Sequence, residues 1–541
     1  MWTGDSARHD NDEKIPRTPA QVLDSNRMVA QKFLDVFSDP SNRSLMVPVI
    51  PTLGNNDILP HNVLLPGPNR WLSYYGDIWR RFIPEEQRHS FEFGGWFYVE
   101  VIPGRLAVFS LNTLYFFDRN AGIDDCVAPS EPGFKQMEWL RIQLQFLRER
   151  GMKAILMGHV PPARTGSKQL WDETCWHKYV LWLRQYRDVV VSGVFGHMNI
   201  DHFLLHDTHD VDGLLAGVVD PAVRTSMEDE LSVETSTDYL QELRAGWTKL
   251  SRPRLFEADD EDAADEIHGD EEEDPEEEDS VGGGSKRRKK HKKHKKKPKK
   301  GKPRRKWGER YQVSLVSPSV VPNYFPTLRV VEYNISGLED TPTWVDSPPT
   351  LDLSDRPHRT ALRPDDISRR EGQSLESEAE AARRKKKHKK PKKPKKPKDP
   401  NLVVPPPPSP LAPPGPAYSP QPLTILGYTQ YFANLTHINR EPSGSAKSKP
   451  RLRPFKYEVE YRTFDDKKYN LTDLTVNSYL ELAYRMGQKS ARRANGIEET
   501  KKKKKKKKNK KKQKHNEVWL HFLRHAFVRT VSRDELEELD S

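Results

Sequence analysis

Long runs of like-charged residues divide this chain into several separate segments. Residues 257–279 are mostly acidic, residues 286–306 are mostly Lys and Arg, and two more basic runs occupy 383–398 and 501–514. Such runs bury too little apolar area to offset the conformational entropy that is lost on folding. We therefore predict disordered charged insertions, with the ordered structure confined to the segments between them.

The remaining segments predict one folded domain with additions. With 31% charged residues and 44 prolines, much of the 541-residue chain is unsuited to a packed core. A strand-rich segment begins at Tyr311, and KYEVEYRTF precedes a helical pattern that Thr472 or Asp473 would cap. The predicted units are 1–255, the main domain without its first strand; 256–308, a disordered acidic then basic insertion; 309–340, a strand-rich segment docking on the core; 341–422, a disordered basic and Pro-rich linker; 423–490, a C-terminal ordered segment; and 491–541, a Lys-rich tail with a short terminal helix.

Three segments of the main domain share one construction. The apolar runs Leu45–Ile50, Lys153–Met157 and Val189–Phe195 lead into Gly54-Asn55-Asn56, Gly158-His159 and Gly196-His197-Met198-Asn199. Each predicts a buried strand that ends in a glycine turn and presents an Asn or a His. In α/β folds, loops at the carboxyl ends of adjacent strands assemble functional sites.

A fourth glycine motif, Gly4-Asp5, adds a carboxylate to this set. Together with Asn55, His159 and His197, Asp5 forms a mixed oxygen and nitrogen donor set that suits a divalent transition metal. Taken singly, each position is better explained as an ordinary turn glycine or an ordinary loop histidine. The agreement of four positions favours a metal site.

The order of these motifs resembles the calcineurin-type metallophosphoesterases, especially the acid sphingomyelinase-like branch and, within it, the fungal vacuolar endopolyphosphatases. The similarity includes GNNDILPHN, GHVPP and FGHMNIDHF, and downstream VSPSVVPNYFPTLRVVEYNISG and PFKYEVEY. It implies an α/β fold, a four-layer α/β/β/α sandwich. It also implies two divalent metal ions (Mn, Mg, Co, Zn or Fe) and hydrolysis of internal phosphoanhydride bonds of inorganic polyphosphate.

The resemblance also implies roles for the metal-site residues. Asp5 would bridge the two ions, and Asn55, His159 and His197 would complete the shell of one of them. Asn199 stands where many relatives carry a second His, and it would bind the other ion. The implied nucleophile is hydroxide rather than a side chain.

Further residues are implied to contact the substrate. Many relatives carry a His at the position of Asn56, where it helps to protonate the leaving group; here Asn56 would orient a phosphate. His9 and His61 are nearby cationic candidates, and Arg8 together with His9 would contact substrate phosphate. Asp57 is expected to be structural.

One departure from the family is expected to matter for activity. The family begins its site with an Asp-x-His motif on the first strand, upstream of Gly-Asp, and nothing before Asp5 supplies it. We therefore expect an N-terminal truncation, with the first strand and the membrane anchor of the relatives absent from this chain. Expressed alone, such a chain is expected to be insoluble or nearly inactive.

Two alternative functions remain open at this stage. A related phosphodiesterase or nucleotide pyrophosphatase would need an aromatic pocket near Asn55, for which Trp71, Tyr74 and Tyr75 are candidates. A catalytically inactive polyphosphate- or nucleic-acid-binding protein would fit the missing Asp-x-His motif.

The basic runs and the net charge of +12 indicate a polyanionic partner. Solvated disorder, nucleic-acid binding and capture of polyphosphate all fit a lysine run. Nucleic acid is the less favoured partner, because the runs have no interleaved aromatic residues and no recognised nucleic-acid fold. A mixture of solvated disorder and polyphosphate capture fits the predicted phosphoesterase site.

Glycosylation motifs indicate a route through the secretory pathway. Acceptor sites occur at Asn334, Asn434 and Asn470, and a fourth, Asn42, lies close to a predicted strand. With the resemblance, they predict a vacuolar protein, in the lumen or at the membrane. The chain has two cysteines, Cys126 and Cys175, which allow a single bridge.

Overall fold

The computed structural model describes residues 1–9, 14–41, 43–166, 168–211, 233–250, 307–321, 323–346, 401–409, 411–439, 454–488 and 515–540. The charged runs predicted to be disordered lie outside these residues, as does the glycosylation motif residue Asn42. The Pro-rich end of the linker 341–422, also predicted to be disordered, is instead ordered: Tyr418 is buried and its hydroxyl donates to the carbonyl of Tyr311 at 2.9 Å.

Ten α-helices lie in the described part of the chain. They are α1 (Pro19–Phe37), α2 (Arg70–Ile78), α3 (Arg88–Gly94), α4 (Pro132–Glu149), α5 (Glu173–Gln185), α6 (Val233–Trp247), α7 (Leu435–Asn439), α8 (Val476–Gly487), α9 (Glu517–Ala526) and α10 (Arg533–Leu539). Helix α1 begins at a capping box between Thr18 and Gln21, with Pro19 at its first position.

The helix predicted after KYEVEYRTF begins a few residues later than expected. Helix α8 begins after Thr475, its N-cap, rather than at Thr472 or Asp473. The Asp473 carboxylate accepts hydrogen bonds from the main-chain N–H of Thr475, at 2.9 Å, and from the hydroxyl of Ser478, at 2.6 Å. Asp473 therefore stabilises the turn that precedes the helix.

Nine strands in the described ranges form two sheets. They are β1 (Phe97–Ile102), β2 (Leu106–Ser110), β3 (Lys153–Met157), β4 (Val190–Phe195), β5 (His202–Asp207), β6 (Tyr311–Val316), β7 (Thr327–Tyr333), β8 (Ile425–Phe432) and β9 (Glu458–Arg462). The first sheet has the order β1-β2-β3-β4-β6-β5 and the second has the order β7-β8-β9. Strands β2, β3, β4 and β6 are parallel, and β1 and β5 are antiparallel edge strands.

The segment 309–340 is more than a segment docked on the core. Its strand β6 lies inside the first sheet, hydrogen-bonded to β4 on one side and to β5 on the other. All six residues of β6 are buried, as expected of an interior strand whose two faces are both covered. Residues that follow the charged insertion therefore complete the main sheet.

The strand predicted over Leu45–Ile50 is not present. This segment belongs to neither sheet, its chain bends at Met46 and Val47, and the next residue, Pro51, forms an isolated bridge with Trp2. The main-chain N–H of Trp2 donates to the carbonyl of Ile50 at 2.8 Å, and that of Thr52 donates to the carbonyl of Trp2 at 3.0 Å. Pro48 and Pro51 have no N–H and cannot donate to a longer ladder.

The second sheet and the helices complete the molecule. Side chains of β5 and β6 (Phe203, Leu315) meet side chains of β8 and β9 (Tyr428, Tyr461) around one small internal space. Helix α4 packs on α5 and β3, and α8 packs on α6 and β6. The predicted α/β class is confirmed, and the two sheets with their helices agree with the α/β/β/α sandwich implied by the resemblance.

Candidate metal centre

Four of the predicted metal ligands form one compact cluster. Nε2 of His159 lies 3.1 Å from Oδ2 of Asp5 and 2.7 Å from Oδ1 of Asn55. Nδ1 of His197 lies 2.9 Å from the same Asn55 oxygen and 3.3 Å from Nε2 of His159. Ligand atoms bonded to one ion at about 2.0–2.2 Å are about 3 Å from their neighbours, so this spacing fits a metal shell.

The hydrogen bonds around the cluster direct lone pairs toward its centre. Nδ1 of His159 lies 2.7 Å from the carbonyl oxygen of Thr3, which only accepts, so this nitrogen carries the proton and Nε2 faces the cluster. The amide nitrogen of Asn55 lies 2.8 Å from both Nε2 of His61 and Oδ1 of Asn62. That arrangement leaves Oδ1 of Asn55 for a cation, and the residues present therefore fit a divalent transition metal.

The electrostatics of the cluster favour a positive charge at its centre. Burial would raise the pKa of Asp5, but the charge and hydrogen bond of His159 hold it below its usual range. Burial would lower the pKa of His159, but the Asp5 carboxylate raises it. Burial and the charge of His159 both lower the pKa of His197. The cluster thus contains an ionised carboxylate and two imidazoles, and a positive charge on His159 disfavours a second positive charge on His197.

The loops that present these ligands have unusual backbone conformations. Asp5, His197 and Asn199 have φ angles of 57°, 69° and 56°, in the left-handed region that residues other than glycine rarely adopt. Such conformations cluster at functional sites, where the surrounding structure enforces them. A Cβ on Gly54 would lie 2.1 Å from Oδ1 of Asp5, so this glycine lets the two loops approach closely.

Asp57 holds the Asp5 loop in place. Its buried carboxylate accepts hydrogen bonds from the main-chain N–H groups of Asp5 (2.7 Å), Ser6 (2.9 Å) and Gly54 (3.0 Å) and from the side chain of Asn26 (2.9 Å). These contacts fit the structural role predicted for Asp57.

Comparison with known proteins identifies the family. No family model matches the chain. The endopolyphosphatase of Neurospora crassa is 50% identical, over 99% of this chain and 83% of the relative. The endopolyphosphatases of Saccharomyces cerevisiae and Schizosaccharomyces pombe are 36% and 32% identical, each over 90% of this chain and over 72% and 69% of the relative. This chain belongs to the endopolyphosphatase family. The resemblance inferred from the sequence motifs is thereby confirmed.

In this member of the endopolyphosphatase family, Asn56 orients the Asp5 carboxylate. Its main-chain N–H donates to Oδ1 of Asp5 at 2.8 Å, and its side-chain amide donates to Oδ2 at 2.9 Å. Oδ1 of Asn56 is buried and has no hydrogen-bond partner among the described residues. Asn56 thus touches a predicted metal ligand and leaves one acceptor atom open.

Three other predicted site residues border the cluster. Nε2 of His9 lies 4.0 Å from Oδ2 of Asp5 and 3.4 Å from the amide nitrogen of Asn199. His61 is held at the cluster by its hydrogen bond with Asn55. The structure therefore brings His9, His61 and Asn199 to the edge of the four-ligand cluster.

Arg8 is not brought to the cluster. Its exposed guanidinium donates a hydrogen bond to the carbonyl of Ile15, seven residues along the chain. Its main-chain carbonyl accepts a hydrogen bond from the buried guanidinium of Arg17 at 3.1 Å. Contact between Arg8 and substrate stays a prediction.

The aromatic pocket considered for a phosphodiesterase is not present as an open pocket. Trp71 and Tyr75 are fully buried and stack on one another, and the hydroxyl of Tyr75 donates to the carbonyl of Asp57 at 2.5 Å. The ring of Tyr74 packs edge-on against Trp71. Trp71 and Tyr75 therefore belong to the core behind the site, and Tyr74 is partly buried against that core.

Several residues that support the site were missed by the sequence analysis. The hydroxyl of Thr113 accepts hydrogen bonds from the main-chain N–H groups of His159 (3.1 Å) and Val160 (2.8 Å). Arg17 donates to the carbonyl of Asn56 at 2.5 Å, and the ring of Phe117 packs edge-on against His197. Thr113 follows strand β2 without a glycine turn, so it lacks the sequence signal that marks the loops of Asn55, His159 and His197.

Proposed function

We propose that this chain hydrolyses internal phosphoanhydride bonds of inorganic polyphosphate and releases shorter chains. The cluster of Asp5, Asn55, His159 and His197 carries the proposal, because its four donor atoms lie at the spacing of one metal shell. The relatives that match nearly the whole chain are named endopolyphosphatase, which supports this substrate and the internal mode of cleavage.

We propose two divalent ions as cofactors, drawn from Mn, Mg, Co, Zn and Fe. The four-ligand cluster would hold one ion, and Asp5 with Asn199 would contribute to holding the other. When bound, such ions neutralise phosphoryl oxygens and make a water nucleophilic at neutral pH. Two imidazoles in the ligand set favour a transition metal over Mg for the first position.

The neighbouring residues position the carboxylate and receive the substrate. Asn56 donates hydrogen bonds to both carboxylate oxygens of Asp5 and so holds the carboxylate in place. Nε2 of His9 lies 4.0 Å from Oδ2 of Asp5, where an imidazole N–H would donate to a phosphate oxygen. His61 keeps the amide of Asn55 in the orientation that leaves Oδ1 facing the cluster.

A time course with long-chain polyphosphate tests the proposal. The protein purified from its native host is incubated with each of the five metals, and the products are separated on a denaturing gel. We expect intermediate chain lengths to accumulate before orthophosphate, because internal cleavage shortens many chains early. Release of orthophosphate alone would contradict the internal mode. Binding without cleavage in every metal would support the inactive binding protein, and faster cleavage of nucleotides or diesters would support the phosphodiesterase.

We also propose that the protein resides in the vacuole and reaches it through the secretory pathway. The Cys126–Cys175 disulfide is typical of an oxidising compartment. Asn334, Asn434 and Asn470 all lie at least partly exposed, as glycan acceptors must. Every helix in the described ranges is too short or too polar to cross a bilayer. Membrane association through an N-terminal anchor stays a prediction.

Removal of N-glycans tests the secretory route. Treatment of the protein from its native host with a glycosidase should increase its mobility on a denaturing gel. Replacement of all three acceptors by Gln should produce the same mobility without treatment. A protein whose mobility the enzyme does not change would contradict glycosylation at these sites.

A further inference from the structure

A second cluster of metal-ligand side chains lies in the C-terminal part of the chain. One donor atom from each of Asp466, His521 and His525 lies within 4.8 Å of the other two. Nε2 of His521 is 2.7 Å from Oδ2 of Asp466. His521 and His525 are four residues apart on helix α9, which places both imidazoles on one face of the helix.

A buried carboxylate behind His525 has the position of an outer-shell metal residue. Nδ1 of His525 lies 2.7 Å from Oε1 of Glu460, whose side chain is fully buried. Metal-bound histidines usually donate their other ring N–H to such a carboxylate, which fixes the ring and leaves the second nitrogen for the ion. The hydrogen bond to Glu460 therefore leaves Nε2 of His525 as the ligand atom.

Glu460 is incompletely compensated by the residues around it. Its Oε2 is buried and has no hydrogen-bond partner in the described structure. Nε of Arg529 is 4.0 Å from Oε1, while the Arg529 guanidinium donates to the main-chain carbonyl of Glu460. A buried carboxylate oxygen without a partner is costly, and a cation held by the neighbouring His525 would offset part of that cost.

The loop that carries Asp466 is already ordered for binding. Oδ1 of Asp466 accepts hydrogen bonds from the main-chain N–H groups of Lys468 and Tyr469, both at 2.9 Å, so Oδ2 remains for an ion. The ring of Tyr469 packs against the ring of His521, with 5.0 Å between the two ring centroids. The side chain of His521 is 19% exposed and that of His525 is 3% exposed, so an ion can enter from the His521 side.

We propose that Asp466, His521 and His525 bind a zinc-class transition-metal ion, with Glu460 accepting the hydrogen bond from His525. Two imidazoles and one carboxylate form a ligand set that favours Zn²⁺ over Mg²⁺ or Ca²⁺. The ion would fasten helix α9 to the loop after β9. The main-chain carbonyl of Ala526, next to His525, accepts a hydrogen bond from the main-chain N–H of Asp201 at 3.1 Å. The ion would therefore also stabilise the position of helix α9 against the loop that carries His197 and Asn199.

Zinc content measured in the full chain tests this site. A His159→Ala/His197→Ala background removes two ligands of the candidate metal centre, so that zinc retained there does not mask the second site. The protein is loaded with ZnCl₂, desalted and analysed for zinc per chain, and its affinity is measured by competition with a zinc indicator. We expect the background protein to retain zinc, and addition of His521→Ala to remove about one equivalent.

Matched variants separate loss of a ligand from loss of the fold. Asp466→Asn keeps the size of the side chain and an oxygen for Lys468 and Tyr469, and it should weaken zinc binding at least about tenfold. His89→Ala alters an exposed helical histidine and should leave both zinc content and affinity unchanged. Zinc should raise the Tm of the background and of the His89→Ala protein, but not that of the Asp466→Asn protein.

Two results would overturn the proposal. One is a background protein that retains no zinc after desalting. The other is equal zinc content and affinity in the background, His521→Ala and Asp466→Asn proteins, which would place the bound zinc elsewhere.

Discussion

Two residues outside the four-ligand cluster, Asn56 and Asp57, hold Asp5 in position. Asn56 donates to both of its carboxylate oxygens, while Asp57 receives the main-chain N–H of Asp5 and fixes the loop from behind. Both neighbours lie in the short 3₁₀ turn Asn55–Asp57, which also supplies the ligand Asn55. A single turn therefore provides a ligand, an orienting amide and a loop anchor.

Replacement of His159 should separate metal binding from folding. His159→Ala removes the ligand atom that lies nearest to both Asp5 and Asn55, so we expect Mn²⁺ affinity to fall about 10- to 100-fold and polyphosphate cleavage to be lost. The circular dichroism spectrum should not change. His89→Ala, on an exposed helix face, is the control. Wild-type turnover and affinity in His159→Ala would remove this residue from the site.

Replacement of Asp57 should act on stability first. Asp57→Asn substitutes an NH₂ group for one of two oxygens that accept main-chain donors, so at least one N–H of the Asp5 loop loses its partner. We expect a loss of about 2–4 kcal/mol in the free energy of unfolding, measured by urea denaturation. Metal affinity should fall as well, because the loop that carries Asp5 is released. An unfolding free energy equal to that of the wild type would contradict this role.

At the scale of elements, strands β3 and β4 and the glycine turns after them could be predicted from the sequence. A short apolar run and a glycine that ends it are local signals, which need no knowledge of the pairing partner. Leu45–Ile50 is also an apolar run, but Pro48 within it and Pro51 after it limit main-chain pairing, and its contact with Trp2 cannot be read from the run itself. The ligands Asp5, Asn55, His159 and His197 were found because glycine marks each turn. Thr113 and Arg17 were missed because their contacts are with main-chain atoms, which no motif records.

The two sheets are joined by a buried ion pair whose loss should be costly. Arg329 on β7 donates to Oδ1 of Asp201 at 2.6 Å, and the hydroxyl of Tyr461 on β9 donates to the other oxygen at 2.5 Å. Arg329→Met leaves the Asp201 carboxylate buried without its counter-charge. We expect a loss of about 3–5 kcal/mol in unfolding free energy, measured by chemical denaturation.

A double variant provides the control for this ion pair. Arg329→Met combined with Asp201→Asn removes both charges and should recover part of the stability that the single variant loses. If the single and the double variants were equally stable, an uncompensated charge would not be the cause.

At the scale of the whole molecule, the charge distribution bears on how a long polyanion is captured. Residues 286–306, which lie outside the described structure, are mostly Lys and Arg. Deletion of this run should raise the apparent KM for long-chain polyphosphate and flatten its salt dependence, because fewer counterions are released on binding. Tripolyphosphate is too short to contact both the run and the site, so its KM should hardly change. Equal effects on the two substrates would make the run a spacer.

The position of strand β6 determines what proteolysis within the basic run would do to the protein. β5 precedes the basic run 286–306 and β6 follows it, yet the two strands pair along six residues in the same sheet. The disulfide joins Cys126 to Cys175, both upstream of that run. A protease that cuts after lysine within the run would therefore produce two polypeptides with no covalent link, held together by main-chain hydrogen bonds and a shared core. Such a nicked protein should elute as one species in gel filtration and separate into two bands only in detergent.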